Sequence, residues 1–164
     1  MAASSASPAL FDTSALQSQP GIRVAIVSTE WNEAIVGKLI EGCRTVLDHF
    51  GAIVTHDLKV PGAVELPFAC RAVAGVTQDK PEAIIAFGAV IRGGTPHFDY
   101  VCQSVTQGLT TLNISLDAPV IFGVLTLDNE AQAWERLGGE HGHKGEEAAL
   151  AALKMAALKR QLAH

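Results

Sequence analysis

The sequence predicts an α/β three-layer sandwich, with a four-stranded parallel sheet covered by helices on both faces. Three observations predict it. Four strand-length runs occur, at 22–28, 52–58, 83–89 and 119–125, most of them rich in β-branched residues. Segments with helical spacing of apolar residues separate them. Strands that alternate with helices join by right-handed crossovers into a parallel sheet with two covered faces.

Residues 1–20 are rich in Ala, Ser, Pro and Gln and read as a flexible N-terminal arm, with a short extended piece near 10–16. Residues 21–164 read as one domain. The first strand, 22–28, is Ile-Arg-Val-Ala-Ile-Val-Ser, a run suited to burial on both faces. From Asn32 to Phe50 the stripe Ile35, Leu39, Cys43, Val46, Leu47 and Phe50 marks a helix, which Gly51 stops. A second strand covers 52–58. Residues 60–67, Val-Pro-Gly-Ala-Val-Glu-Leu-Pro, form a loop entering a helix, with Pro67 in its first turn. The third strand, 83–89, runs into the glycine loop 92–96 and then a helix over 98–116. After the fourth strand, Asn129 is the expected N-cap of a short helix reaching Leu137. A Gly/His-rich loop, 138–145, leads to a last Ala/Leu-rich helix ending near Leu162.

The chain has 164 residues, 48% hydrophobic and 18% charged, with a net charge of −5. That suffices for a core and argues against a nucleic-acid binder, since no Lys/Arg run forms a phosphate-tracking patch. No apolar stretch approaches the roughly 20 residues that span a bilayer. The first ten residues lack the basic and apolar regions of a secretory signal, so a cytoplasmic protein is expected. Cys43, Cys70 and Cys102 are odd in number and scattered, which predicts buried free thiols instead of disulfides or zinc. His141 and His143 have no Cys or second pair nearby, and no metal site is expected.

In parallel sheets the ligand lies at the carboxyl ends of the strands, here after Ser28, Leu58, Gly88 and Leu125. Trp31 either caps the core or offers a flat face to a heterocycle. Glu65 is either a first-turn acid favoured by the helix dipole or an acceptor for ligand hydroxyls. Gly94 and Thr95 precede a helix, where backbone N–H groups attract phosphate, and Pro96 contributes no donor. The pattern is neither a Walker loop nor the dinucleotide fingerprint. His97 lies beside that position and suits proton transfer near neutral pH. Phe122 is core or contact, and Arg136 is a solvated charge or a phosphate clamp.

Five segments in order resemble the lumazine synthase family. They are residues 60–67, 88–101 (Gly-Ala-Val-Ile-Arg-Gly-Gly-Thr-Pro-His-Phe-Asp-Tyr-Val), 119–126, 129–136 and the pair Lys144-Gly145. The resemblance spans Ile22 to about Leu158 and implies a flavodoxin-like strand order. It also implies a reaction: 5-amino-6-(D-ribitylamino)uracil condenses with 3,4-dihydroxy-2-butanone 4-phosphate, releasing phosphate and water as a pteridine ring closes. This is the penultimate step of riboflavin biosynthesis, and the family uses no metal or organic cofactor.

Roles follow from the same resemblance. Trp31 stands where the family stacks an aromatic, commonly Phe, on the pyrimidine. Ala63, Val64 and Glu65 match the segment holding the ribityl chain, although relatives often carry an aromatic at the place of Val64. Ala89, Val90 and Ile91 match the backbone that reads the pyrimidine edge. Gly94 and Thr95 match the phosphate cradle, and His97 the proton-transfer residue. Phe122, Arg136 and Lys144 match residues supplied by a neighbouring subunit, with Arg136 on the phosphate and Lys144 in the catalytic set. The resemblance implies pentamers, with the N-terminal arm pairing to a neighbour. The short turn 137–143 carries no insertion, which favours a closed shell of about 60 subunits, with riboflavin synthase as a candidate partner. The alternative is a non-catalytic flavin- or lumazine-binding shell protein on the same scaffold. It would keep Trp31 and lose His97, Thr95 and Arg136, all of which are present.

Overall fold

The computed structural model describes residues 12–16 and 20–163. Four parallel strands, β1 (Arg23–Thr29), β2 (Ile53–Val60), β3 (Ala83–Ile91) and β4 (Val120–Leu127), form one sheet in the order β2-β1-β3-β4. Helices α1 (Glu33–His49), α2 (Leu66–Ala74), α3 (His97–Ser115), α4 (Ala131–Trp134) and α5 (Lys144–Leu162) connect and cover it. The strand alternation explains the two layers. Val24, Ile26, Ile85 and Phe87 face a core built with Leu39, Cys43 and Leu47 of α1 and Leu150 and Leu153 of α5. Ala25, Val27, Ile84 and Ala86 face the other core, with Leu66 and Val73 of α2 and Val105 and Leu109 of α3. The expected three-layer architecture and flavodoxin-like order are therefore present.

Three local expectations change. Asn32 does not begin α1: it is left-handed (φ 59°, ψ 43°), and the helix starts at Glu33. Asn readily takes that conformation. The short helix ends at Trp134 instead of Leu137, with Glu130 as its first flanking residue. Asn129 still caps it chemically, since its Oδ1 accepts the Gln132 N–H at 3.1 Å. The loop expected at 138–145 is partly a hairpin, β5 (Leu137–Gly139) with β6 (Gly142–His143). Gly138 (φ 104°) and Gly142 (φ 72°) supply backbone angles that other residues resist.

The extended piece expected near 10–16 is instead, where described, a 3₁₀ turn at Ser14–Leu16, and Leu16 is buried in the α1/α5 core. The remaining arm residues, 1–11 and 17–19, lie outside the described residues, as does any pairing they make. Of the three free thiols, Cys43 and Cys70 are buried as expected, and burial pushes both up to about 12. Cys102 is only partly buried, a departure: it lies near the start of α3, ahead of Val105, the first buried residue of that helix.

One ion pair ties α5 to the sheet. The Arg160 guanidinium donates to Glu82 at 2.6 and 3.0 Å, and Glu82 also accepts the Arg23 N–H at 2.9 Å. Burial raises the Glu82 carboxyl, but the Arg160 and Arg23 hydrogen bonds outweigh it and hold the carboxyl below its ordinary value. A depressed carboxylate stabilises the fold above its unfolded pKa, and that stability drains as pH falls through the folded value. Arg160→Ala is expected to cost about 1.5–3 kcal/mol at neutral pH. The deficit should shrink in acid below the ordinary carboxylate range, as read by urea denaturation at two pH values.

Candidate active site

The strand order reverses at β1 and β3, so a crevice opens between their carboxyl ends. A cleft of about 500 Å³ occupies it, lined among others by Trp31, Glu65, Ala89, Ile91 and His97. Each strand end contributes by a local device. After β1, Glu30 and Trp31 donate backbone N–H groups to the Val60 and Pro61 carbonyls (2.8 and 3.3 Å), which fastens the loop to the end of β2. The Thr29 hydroxyl, buried below, donates to the Trp31 carbonyl at 3.2 Å. The indole is thereby held while 73% exposed, so Trp31 presents a face and does not cap the core.

After β2, a 3₁₀ turn (Ala63–Glu65) leads into α2. The Glu65 Oε2 accepts the Gly62 N–H at 3.0 Å, which fixes the carboxylate at the cleft wall. Its first-turn role and its place in the cleft thus coincide. Ala63 is buried beneath this turn, whereas Val64 is 47% exposed at the cleft. At the end of β3, Ala89, Val90 and Ile91 line the floor. The Asn32 Nδ2 donates to the Ala89 carbonyl at 2.8 Å.

Loop 92–96 rises from β3 to α3, whose first residue is the exposed His97. Arg92 braces this loop. Its Nε donates to Asp128 at 2.9 Å, its Nη1 donates to Asp99 at 3.2 Å, and its guanidinium lies 4.1 Å from the centre of the Phe98 ring. Gly94 has no positive φ, and a methyl group there would meet nothing within 4 Å. Neither strain nor crowding requires glycine at that position, which lies two residues before Pro96, the N-cap of α3.

Five of the expected residues do not line this cleft: Gly94 and Thr95, on the loop 92–96, and Phe122, Arg136 and Lys144. Phe122 on β4, 43% exposed, and Lys144 at the start of α5 line a separate recess of about 340 Å³. The Lys144 Nζ donates to both Glu147 carboxylate oxygens at 2.8 Å. The Arg136 Nη1 donates to the Gln132 carbonyl at 2.8 Å, which leaves the rest of its fork for other acceptors. Its chain position is tied to Lys144, whose N–H donates to the Arg136 carbonyl at 2.9 Å. Within one chain, then, one group of residues forms a cleft, and Phe122 and Lys144 belong to a second recess on the β4/α5 side.

The match to known proteins decides the family. The model for 6,7-dimethyl-8-ribityllumazine synthase matches residues 21–160. The chain belongs to the 6,7-dimethyl-8-ribityllumazine synthase family. It is 50% identical over 144 residues to the protein of that name from Porphyromonas gingivalis, covering 85% of this chain and 86% of the relative. It is 48% identical over 136 residues to the one from Kineococcus radiotolerans, covering 82% and 83%. With the Streptomyces avermitilis lumazine synthase it shares 46% over 143 residues, covering 86% and 87%.

Sequence reasoning missed several parts of this lumazine synthase family site. Asn32 was read as helix, yet its side chain holds the Ala89 carbonyl at the cleft. An Asn directly before a helix start, a residue that tolerates the left-handed conformation, is the signal that was available. Glu147 pairs with Lys144 at i,i+3 spacing, which a helix-pair reading of 144–147 would have found. Arg92 joins Asp99 and Asp128, and nothing in the sequence connects those three. Among the described residues, no group of three or more His, Cys, Asp or Glu side chains is placed to hold a metal ion. Among the described residues, no helix is long and apolar enough to cross a membrane.

Proposed function

We propose that this chain makes 6,7-dimethyl-8-ribityllumazine from 5-amino-6-(D-ribitylamino)uracil and 3,4-dihydroxy-2-butanone 4-phosphate, as a transferase of riboflavin biosynthesis. The observation that carries the proposal is the cleft itself. An exposed indole, a fixed carboxylate and the β3 end backbone surround one space with His97 at its rim.

In this reading the pyrimidine stacks on Trp31, and the Ala89–Ile91 backbone reads its edge. Glu65 accepts from a ribityl hydroxyl, beside Ala63 and Val64. The 5-amino group adds to the ketone carbonyl, and water leaves to give an imine. Phosphate is then eliminated from the four-carbon chain, and the ribitylamino nitrogen closes the ring with loss of a second water. His97 carries protons between nitrogen and oxygen in these steps. Gly94, Thr95 and Arg136 hold the phosphate as charge develops on it. The amine and ketone are reactive already, so positioning supplies most of the acceleration. The proposed chemistry draws on no cofactor.

Phe122, Arg136 and Lys144 belong in this reading to the neighbouring subunit's side of the site. The absence of all three from the lining of the His97 cleft supports that, as does the exposure of Phe68 (77%), Tyr100 (68%) and Ile114 (83%), which need cover. The assembly is a pentamer, and pentamers close into a shell of about 60 subunits. The N-terminal arm pairs with a neighbour, the protein is cytoplasmic, and riboflavin synthase is its partner. Residues 21–164 act as one domain.

Incubation with both substrates should give the fluorescence of the lumazine product. Binding of added lumazine without its formation would instead support the non-catalytic shell reading. Sedimentation in dilute neutral buffer should show a particle about twelvefold heavier than a pentamer. A single pentameric species across buffers would remove the shell and leave the enzyme.

A further inference from the structure

Arg136 and Lys144 flank the β5–β6 hairpin, whose mouth is closed by the Lys144 N–H on the Arg136 carbonyl. A two-stranded ribbon this short does not hold its own geometry in water. Leu137 is its single apolar side chain. What fixes it is a seat on helix α1. The His143 ring lies across Gly42 so closely that a methyl group at 42 would overlap its Cε1, Nδ1 and Nε2 atoms. Gly145 lies equally close to the Leu39 backbone, where a methyl group would strike the Leu39 carbonyl. Leu39 and Gly42 are neighbours on one helix face at i,i+3. His143 and Gly145 bracket Lys144, so the cation-bearing stretch touches α1 at two adjacent points.

His143 gives the contact a second mark. Its Nδ1 is buried without a hydrogen-bond partner. Unsatisfied groups of this kind lower stability, and their retention calls for a reason other than stability. The ring meets Gly42 with its Cε1 edge, between the two nitrogens.

We infer that His143 is a positioning residue: seated on Gly42, its ring indexes the Arg136–Lys144 pair to helix α1 and so sets where the phosphate of the substrate is held. The inference rests on the phosphate role proposed above for Arg136. Helix α1 begins directly after Asn32, which holds the Ala89 carbonyl of the pyrimidine cleft. The same helix therefore anchors the pyrimidine end of one site and the cation pair that completes another.

Gly42→Ala is the cleanest test. Helix propensity alone would make this change stabilising and without effect on any substrate. The seat instead requires that the methyl group displace the His143 ring. The KM for the phosphorylated substrate should rise about tenfold, a fraction of the roughly 10²-fold that a 1 Å misplacement can cost, with the pyrimidine KM unchanged. His143→Ala should give the same split. His143→Phe, which keeps a flat ring, should retain a phosphorylated-substrate KM within about threefold of the parent enzyme. Melting curves show which variants fold, and Gly42→Ala suffices if His143→Ala does not. An unchanged KM in Gly42→Ala, an equal rise for both substrates, or a raised KM in His143→Phe overturns the seat. Arg136→Ala measured alongside separates the two levels. If it leaves the phosphorylated-substrate KM alone, the phosphate role itself has failed.

Discussion

Replacing His97 with alanine is expected to slow turnover by about 10²-fold, the low end of the range for general acid–base catalysis. His97 is the first residue of α3, exposed, and lines the cleft. An exposed first-turn side chain contributes little to stability, so melting temperature and circular dichroism should match the parent protein. The loss belongs in kcat at saturating concentrations of both substrates, because the proposed function assigns the pyrimidine to Trp31, Glu65 and the β3 backbone, and the phosphate to other groups. The low end is expected because the condensation is driven mainly by positioning. A rate unchanged at saturation would remove His97 from the mechanism.

Arg136→Ala is expected to weaken the phosphorylated substrate by about 10- to 100-fold, the worth of one charged hydrogen-bonding group. The pyrimidine substrate carries no dianion, so its KM should stay near the parent value. Part of the guanidinium is engaged locally, on the Gln132 carbonyl, and its side chain is 31% exposed beside Glu135 at 3.6 Å. Arg136→Lys tests the fork: it keeps the charge and loses the planar pair of donors, so only partial recovery is expected. Steady-state kinetics with each substrate varied in turn reads both outcomes. Equal losses for the two substrates would contradict a phosphate role.

The sheet and its helices were legible because their apolar periods are strong: the runs at β1, β3 and β4 and the α1 stripe from Ile35 to Leu47 all stand in the structure. The cleft at the carboxyl end of the sheet was legible too, since the unusual residues cluster after strands. Illegible features depend on contacts between distant segments. The β5–β6 hairpin has a glycine/histidine composition that reads as loop, and its order comes from the seat on α1. The Asn32 conformation is set by its bond to Ala89, far away in sequence. Phe122 sits in an apolar run and Trp31 just past a buried strand, so local pattern alone left core and contact open. Exposure of both is a property of the folded surface. The N-terminal arm was misread at 14–16 because Leu16 finds a place in the core that no local pattern announces.

In the proposed assembly the site is complete only across a subunit boundary, with His97 from one chain and Arg136 from the next. Co-assembly of His97→Ala and Arg136→Ala chains tests it most directly. In an equal random mixture of a head-to-tail ring, roughly a quarter of the sites draw an intact His97 and an intact Arg136. Lumazine formation should therefore rise from the low level of either variant alone to about a quarter of the parent rate. A mixture that stays at the average of the two separate variants would mean that both residues serve the same chain's site, and the account would be wrong.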